Sequence, residues 1–201
     1  MKNNWPIKKL GEVADCQDGD WILSKDLATG NDVRLIQLGD IGEGKFLDKT
    51  SKYISEERCQ KLKCTLLQTG DILLARLGEP LGKACVFPKF PYQCITSVDV
   101  TIIRPKSIID RDFIHNYLNS KTFKAQVNSV SSGATRKRIS RKNLENLEIP
   151  VPPLSEQKRI VKKLEKILAI IEEAKKLQEE QLQELELLKQ SVLHQAFQGN
   201  L

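Results

Sequence analysis

The strongest pattern in the chain lies towards its C-terminal end. Apolar residues recur at Ile160, Leu164, Ile167, Ile171, Ala174 and Leu177, and again at Leu182, Leu185, Leu188, Val192 and Ala196. Steps of three and four mark one face of an α-helix. The segment Ile149-Pro150-Val151-Pro152-Pro153 forbids a helix just before it. Ser155 suits the N-cap, and Glu156 places a carboxylate where the helix dipole favours one. No Pro or Gly follows until Gly199, so one helix is predicted over residues 155–197. At 1.5 Å per residue it measures roughly 64 Å. Gln178 and Gln181 interrupt the stripe, and the step from Leu177 to Leu182 departs from strict heptad spacing. Such a helix outruns any single domain of this chain, and its apolar face needs a partner. The sequence holds one helix of this kind, so the partner is a second copy or a different protein. Ile160, Leu164, Ile167, Ile171, Leu182, Leu185, Leu188 and Val192 are the candidate interface positions.

Before the prolines the pattern is mixed, and an α+β fold is expected, followed by the long helix. Residues 34–41 and 71–77 read as strands. So do residues 97–104, where Val98, Val100 and Ile102 alternate with Asp99, Thr101 and Ile103. Residues 110–119 form a helix with Phe113, Ile114, Tyr117 and Leu118 on one face, residues 122–127 a short second one, and residues 144–149 a last strand. Residues 5–13 are a short helical or extended entry, and residues 15–29 a polar loop. Gly39-Asp40-Ile41 and Gly70-Asp71-Ile72 echo each other without a wider repeat. The division expected is residues 1–153 and residues 154–201.

Charge sharpens this division. The formal net charge is +6. Residues 154–201 hold eight basic and eight acidic side chains, so residues 1–153, with 24 basic against 18 acidic, carry the whole excess. A polyanion partner for the first part alone follows from that asymmetry. Apolar residues at 40% and charged ones at 29% exclude a disordered or collagen-like chain. No apolar run is long enough to span a bilayer, and no apolar block follows the lysines of the first ten residues, so a cytoplasmic location without membrane contact is expected. The five cysteines lack C-x-x-C spacing and only two histidines accompany them, so reduced thiols are expected rather than a metal site.

Catalytic signatures are missing. The chain has no P-loop, no dinucleotide fingerprint and no nucleophile elbow. Its single Pro-Pro, in Val151-Pro152-Pro153-Leu154, lacks the flanks of an adenine methyltransferase loop. Glu43-Gly44-Lys45 has an E-x-K spacing that a chain rich in Glu and Lys produces by chance, and His115 has no nucleophile around it in sequence. What remains is a pattern suited to DNA. Ser131-Ser132-Gly133-Ala134-Thr135-Arg136-Lys137-Arg138-Ile139-Ser140-Arg141-Lys142 packs five cations into twelve residues. Hydroxyls and a glycine suit a tight loop whose N–H groups approach phosphate oxygens, and Arg can fork onto a guanine edge. Thr135, Arg136, Lys137 and Arg138 are the leading candidates for DNA contact, with Arg76 at the end of a strand beside Gly78. Arg34, Gln37 and Lys25 are further candidates. No catalytic or metal-binding residue is assigned.

Several stretches, in order, resemble the specificity subunit of type I restriction-modification enzymes. Trp5-Pro6-Ile7-Lys8-Lys9-Leu10-Gly11-Glu12-Val13 is similar to the opening of its target recognition domain, and Gly70-Asp71-Ile72-Leu73-Leu74-Ala75-Arg76-Leu77-Gly78 to its central strand. Ser132-Gly133-Ala134-Thr135-Arg136 resembles its late loop. The stretch from Ile149 through Leu154-Ser155-Glu156-Gln157-Lys158-Arg159-Ile160-Val161 resembles the start of its spacer helix, and Leu193-His194-Gln195-Ala196-Phe197-Gln198-Gly199-Asn200-Leu201 its ending. Members of that family carry two recognition domains and two helices that pair antiparallel; this sequence has one of each, like a half-size subunit. The resemblance implies a non-catalytic subunit that reads one half-site of a bipartite double-stranded DNA target. It implies pairing with a second chain through the helix, docking of methyltransferase subunits, and a restriction subunit in the full complex. S-adenosylmethionine, ATP and Mg²⁺ would belong to those partners, with no cofactor on this chain. The reading from another class is a coiled-coil adaptor whose basic part binds protein or RNA.

Overall fold

The computed structural model describes residues 4–30, 32–133 and 136–199. The chain divides into two compact units, residues 1–158 and 159–201. The first is α+β. Strand β1 (Ile7–Lys9) runs into a single turn, α1 (Leu10–Val13), and then β2 (Ala14–Asp18). Next come β3 (Val33–Ile36), β4 (Lys52–Ile54), α2 (Glu56–Leu62), β5 (Ile72–Ala75), β6 (Ala84–Val86), β7 (Cys94–Thr96) and β8 (Val100–Pro105). Helices α3 (Arg111–Leu118), α4 (Lys121–Ser129) and α5 (Arg141–Glu145) lead to β9 (Glu148–Pro150). The long α6 is Leu154–Phe197.

Three sheets form. An antiparallel four-stranded sheet has the order β2-β8-β5-β6, a three-stranded sheet the order β4-β3-β7, and β1 pairs with β9. In the three-stranded sheet β3 and β7 run parallel, with Arg34 opposite Cys94 and Ile36 opposite Thr96. The first core cluster joins the two larger sheets through Ile36, Leu73, Ala75, Cys85, Phe87, Cys94, Val100 and Ile102. The second lies on the other face of β3, where Val33 and Leu35 meet Ile54, Cys59 and Ile95. The fully buried Phe123 and Val127 of α4 and Ile114 and Leu118 of α3 form the apolar faces of those helices.

The expected strand over residues 34–41 stops at Ile36, because Asp40 folds the chain over. Its buried carboxylate accepts from the backbone N–H of Gln37 (2.8 Å), Lys49 (2.8 Å) and Thr50 (2.7 Å), which makes a 3₁₀ turn of Leu38–Asp40. Asp71 repeats the device, accepting from the N–H of Gln68 at 2.9 Å, so the Gly-Asp-Ile echo is a shared turn rather than a shared domain. The strand expected over residues 97–104 begins only at Val100, after a turn through Ser97–Asp99. Its alternation does not mark a solvent face, since Val100, Thr101, Ile102 and Ile103 are all buried. Within the expected loop of residues 15–29, Asp15–Asp18 extend as part of β2 against β8. The last strand shortens to β9, because Ser140 caps α5 by accepting from the N–H of Asn143 at 3.1 Å. Strands β4, β6 and β7 and helix α2 have no counterpart in the sequence reading.

At the proline segment, Pro153 rather than Ser155 supplies the helix start: its carbonyl accepts from Glu156 (2.9 Å) and Gln157 (3.0 Å). The first turn of α6 belongs to the globular unit because Gln157 is fully buried there. Its Nε2 donates to the carbonyls of Pro152 (2.7 Å) and Ile108 (3.2 Å), and its Oε1 accepts from the N–H of Asp110 (2.7 Å). Among the described residues no helix is long and apolar enough to cross a membrane.

Candidate nucleic-acid interface

The basic stretch forms a loop with a closed base. Ser132 and Arg138 exchange both backbone hydrogen bonds, at 2.9 and 2.8 Å. Gly133 has φ of 106°, and a Cβ there would lie 2.4 Å from the Arg136 carbonyl oxygen, so glycine alone fits. Beyond the loop, Ile139 is fully buried and its N–H donates to the Arg76 carbonyl at 3.1 Å. The loop is therefore tied to the exit of β5, and it presents Arg136, Lys137 and Arg138 to solvent. Arg138 meets Asp99 at 2.9 Å. Thr135 lies outside the described residues.

Arg76 sits beneath this loop, not on it. It is 4% exposed. Its guanidinium donates to the carbonyls of Ile139 (3.3 Å) and Val98, and lies 3.1 Å from Asp18. Its own N–H donates to the Asp99 carbonyl at 2.8 Å. Burial pulls its pKa down, against the pull of Asp18. One side chain thus joins the end of β2, the turn before β8 and the root of the loop. Where an exposed DNA contact was expected, Arg76 is buried and has this internal role.

Arg34 is likewise internal. It is 4% exposed and reaches Asp48, the Thr50 carbonyl (2.6 Å) and the Tyr92 hydroxyl (3.4 Å), with Phe90 lying 5.1 Å under its guanidinium. It closes a corner of the three-stranded sheet, an internal role in place of the expected DNA contact. Lys25 is exposed on a 3₁₀ turn of Ser24–Asp26 that Asp26 caps by accepting from the Leu23 N–H at 2.8 Å. Gln37 lines an open cleft of about 480 Å³ between the loop after β2, the turn after β3 and the turn before β8. Arg141, inside the basic stretch, is spent on Asp18 (3.3 Å) and Glu145 (3.1 Å). Sequence reasoning missed Trp21, 67% exposed at the cleft, and Asp99, which links cleft and loop. A lone tryptophan in a polar stretch was the available signal for the first; no sequence signal marked the second.

On α6, Ile167, Ile171, Leu182, Leu185, Leu188 and Val192 are 43–61% exposed, while Ile160 and Leu164 are less so. The helix is unbroken across the two glutamines. Steps of four and three therefore continue from Ile171 through Ala174, Gln178, Gln181, Leu185 and Leu188. At the expected break the four-and-three spacing is carried by the two polar glutamines, with Leu182 beside them.

Residues 2–184 match the family described as the type I restriction modification DNA specificity domain. The specificity subunit of the MjaVIII type I restriction enzyme from Methanocaldococcus jannaschii is 26% identical over all of this chain and 47% of its own length. That of EcoKI from Escherichia coli K12 is 29% identical over 83% of this chain and 36% of its own. A chain solved in work on complex assembly and conformational transition of the type I system superposes with a TM-score of 0.79 at 28% identity, covering all of this chain and 47% of that one. The HsdS subunit of Thermoanaerobacter tengcongensis gives 0.70 at 27% identity, with 100% and 46% coverage. The chain thus spans about half the length of the curated relatives it matches. With the α+β unit, the exposed basic loop and the long seamed helix on one sequence, the chain belongs to the type I restriction-modification DNA specificity family.

Proposed function

We propose that this chain is a non-catalytic DNA-reading subunit, taking one half-site of a bipartite duplex target. The observation that carries the reading is the run Arg136-Lys137-Arg138 on the returning limb of the loop, exposed to solvent yet rooted in the central sheet through Ile139 and Arg76. A rooted loop costs little entropy to order on DNA, and three cations in a row supply both phosphate contact and guanine-edge donors. Arg136→Ala or Arg138→Ala should weaken binding to a target duplex by about 1–3 kcal/mol and relax specificity, while Lys137→Ala should lower the salt slope by about one. Unchanged affinity and salt slope in all three variants reject the assignment.

The helix is the spacer, and its partner is a second copy. Residues 154–176 hold seven basic and four acidic side chains, residues 177–199 one basic and four acidic. The helix is thus positive in its first half and negative in its second, which favours two copies running antiparallel and opposes a parallel pair. Setting Gln178 against Gln181 of a second copy also sets Ile167 against Val192, Ile171 against Leu188 and Ala174 against Leu185. Every layer from Ile167 to Val192 is then matched, and the glutamines hydrogen-bond near the two-fold axis. Two identical half-sites, inverted about an unread spacer, follow from that symmetry. Apolar residues beside the seam, such as Leu168, Ile170 and Leu177, are 47–65% exposed and suit docking of methyltransferase subunits. S-adenosylmethionine, and ATP and Mg²⁺ for cleavage, belong to those partners and to a restriction subunit. Sedimentation over a wide concentration range should report a dimer, and a concentration-independent monomer rejects self-pairing.

A further inference from the structure

The indole of Trp21 has no part in the function proposed so far. It stands 67% exposed on a stem that is pinned. Gly19 donates to the Val100 carbonyl (2.9 Å) and Asp20 to that of Thr96 (2.7 Å), and a Cβ on Gly19 would lie 2.3 Å from the Ser97 carbonyl oxygen. Asp20 in turn accepts from the Thr65 N–H at 2.9 Å. A large, flat side chain held this way makes contact area at small entropic cost.

The cleft it borders has a distinct chemistry. Asp20, Gln37 and Asp99 contribute acceptors to its lining, Trp21 and Leu23 apolar surface, and among the described residues no Lys or Arg lines it. The cations lie just outside, on the loop that Arg138 ties to Asp99. Carboxylates repel phosphate, so backbone belongs on the loop and an uncharged, donor-bearing group belongs in the cleft. Its volume of about 480 Å³ admits a base edge with room for water. Resting on the DNA-reading function, we propose that this cleft is a base-reading subsite. It takes the edge of a base that carries an exocyclic amino group, adenine N6 or cytosine N4, with Gln37 and Asp20 as acceptors and Trp21 as the wall against which the base or its sugar packs.

The chain has two tryptophans. Trp5→Phe therefore leaves Trp21 as the sole indole and reports the subsite directly. The probe is a dye-labelled duplex recovered from a randomised library by the unaltered chain, so that dye anisotropy follows binding separately. Expected is at least a twofold fall in acrylamide quenching of Trp21 as anisotropy rises. In the full chain, Trp21→Ala should weaken binding about tenfold. A library selected with Trp21→Ala should lose its preference for adenine or cytosine at one or two positions only, and Trp21→Phe should restore it. A rise in anisotropy with unchanged Trp21 accessibility overturns the subsite and leaves the DNA-reading function standing. So does an unaltered preference in Trp21→Ala. No rise with any duplex overturns the function itself, and the subsite with it.

Discussion

Four arginines offered as DNA contacts divide by burial into two pairs. Arg136 and Arg138 are exposed, whereas Arg34 and Arg76 are each 4% exposed and hold several internal acceptors. Their sequence surroundings did not separate them, because residue type reports a charge and not its partner. The acceptors that engage Arg76 come from Asp18, Val98 and Ile139, segments far apart in the chain. Arg76→Ala should leave those acceptors unpaired and lower stability by about 1–3 kcal/mol in urea unfolding. Arg76→Lys should not restore it, since a single ammonium nitrogen cannot reach acceptors that the guanidinium contacts from two separate nitrogens. Arg136→Ala should stay within about 0.5 kcal/mol of the unaltered protein. Equal stability of the Arg76 and Arg136 variants would contradict the division. The cysteines are read on the same scale. Burial pushes the Cys85 thiol up to about 12, so the neutral form persists in the folded chain. Raising the pH from 7 to 9 should not make it reactive towards a thiol reagent, whereas urea should; prompt labelling of native Cys85 at pH 8 would contradict its burial.

At the scale of elements, local signals were readable and distant ones were not. Helix α3 was legible because its caps and apolar face lie within ten residues: Asp110 accepts from the N–H of Asp112 and Phe113 at 3.0 Å, ahead of Phe113, Ile114 and Leu118. The parallel pairing of β3 with β7 was not, since nothing near Arg34 announces Cys94. Strand β8 carried a misleading alternation because Thr101 is buried beside its apolar neighbours. The turn at Asp40 was hidden in an apolar run, and its stability depends on one carboxylate. Asp40→Ala should cost about 2–3 kcal/mol, measurable by denaturant midpoint, and a cost below 1 would contradict the capping role. The exposure of the basic run was legible from its composition, whereas the root of its loop was not. Gly133→Ala should strain the loop at a positive φ, cost about 1–3 kcal/mol of stability or reshape the loop, and weaken DNA binding; unchanged binding would mean that the loop shape does not matter.

For the molecule as a whole, the long helix was the most legible feature, and its two glutamines the least understood from sequence. As a polar pair within the proposed seam, they would trade affinity for register. Gln178→Leu with Gln181→Leu should tighten self-association and lengthen no part of the chain, but allow pairings out of register. On the proposed pairing, the unaltered chain should select a single spacer length and this variant heterogeneous ones. An unchanged single spacing in that variant would place the register elsewhere. The central claim, that two copies of a DNA-reading unit are held at a fixed separation, is tested most directly by selecting duplexes from a randomised library with the purified chain, alone and with methyltransferase subunits, and sequencing what is retained. The account predicts two inverted copies of one short motif, separated by an unread gap of constant length. A single undivided motif, or no enrichment under either condition, would contradict it.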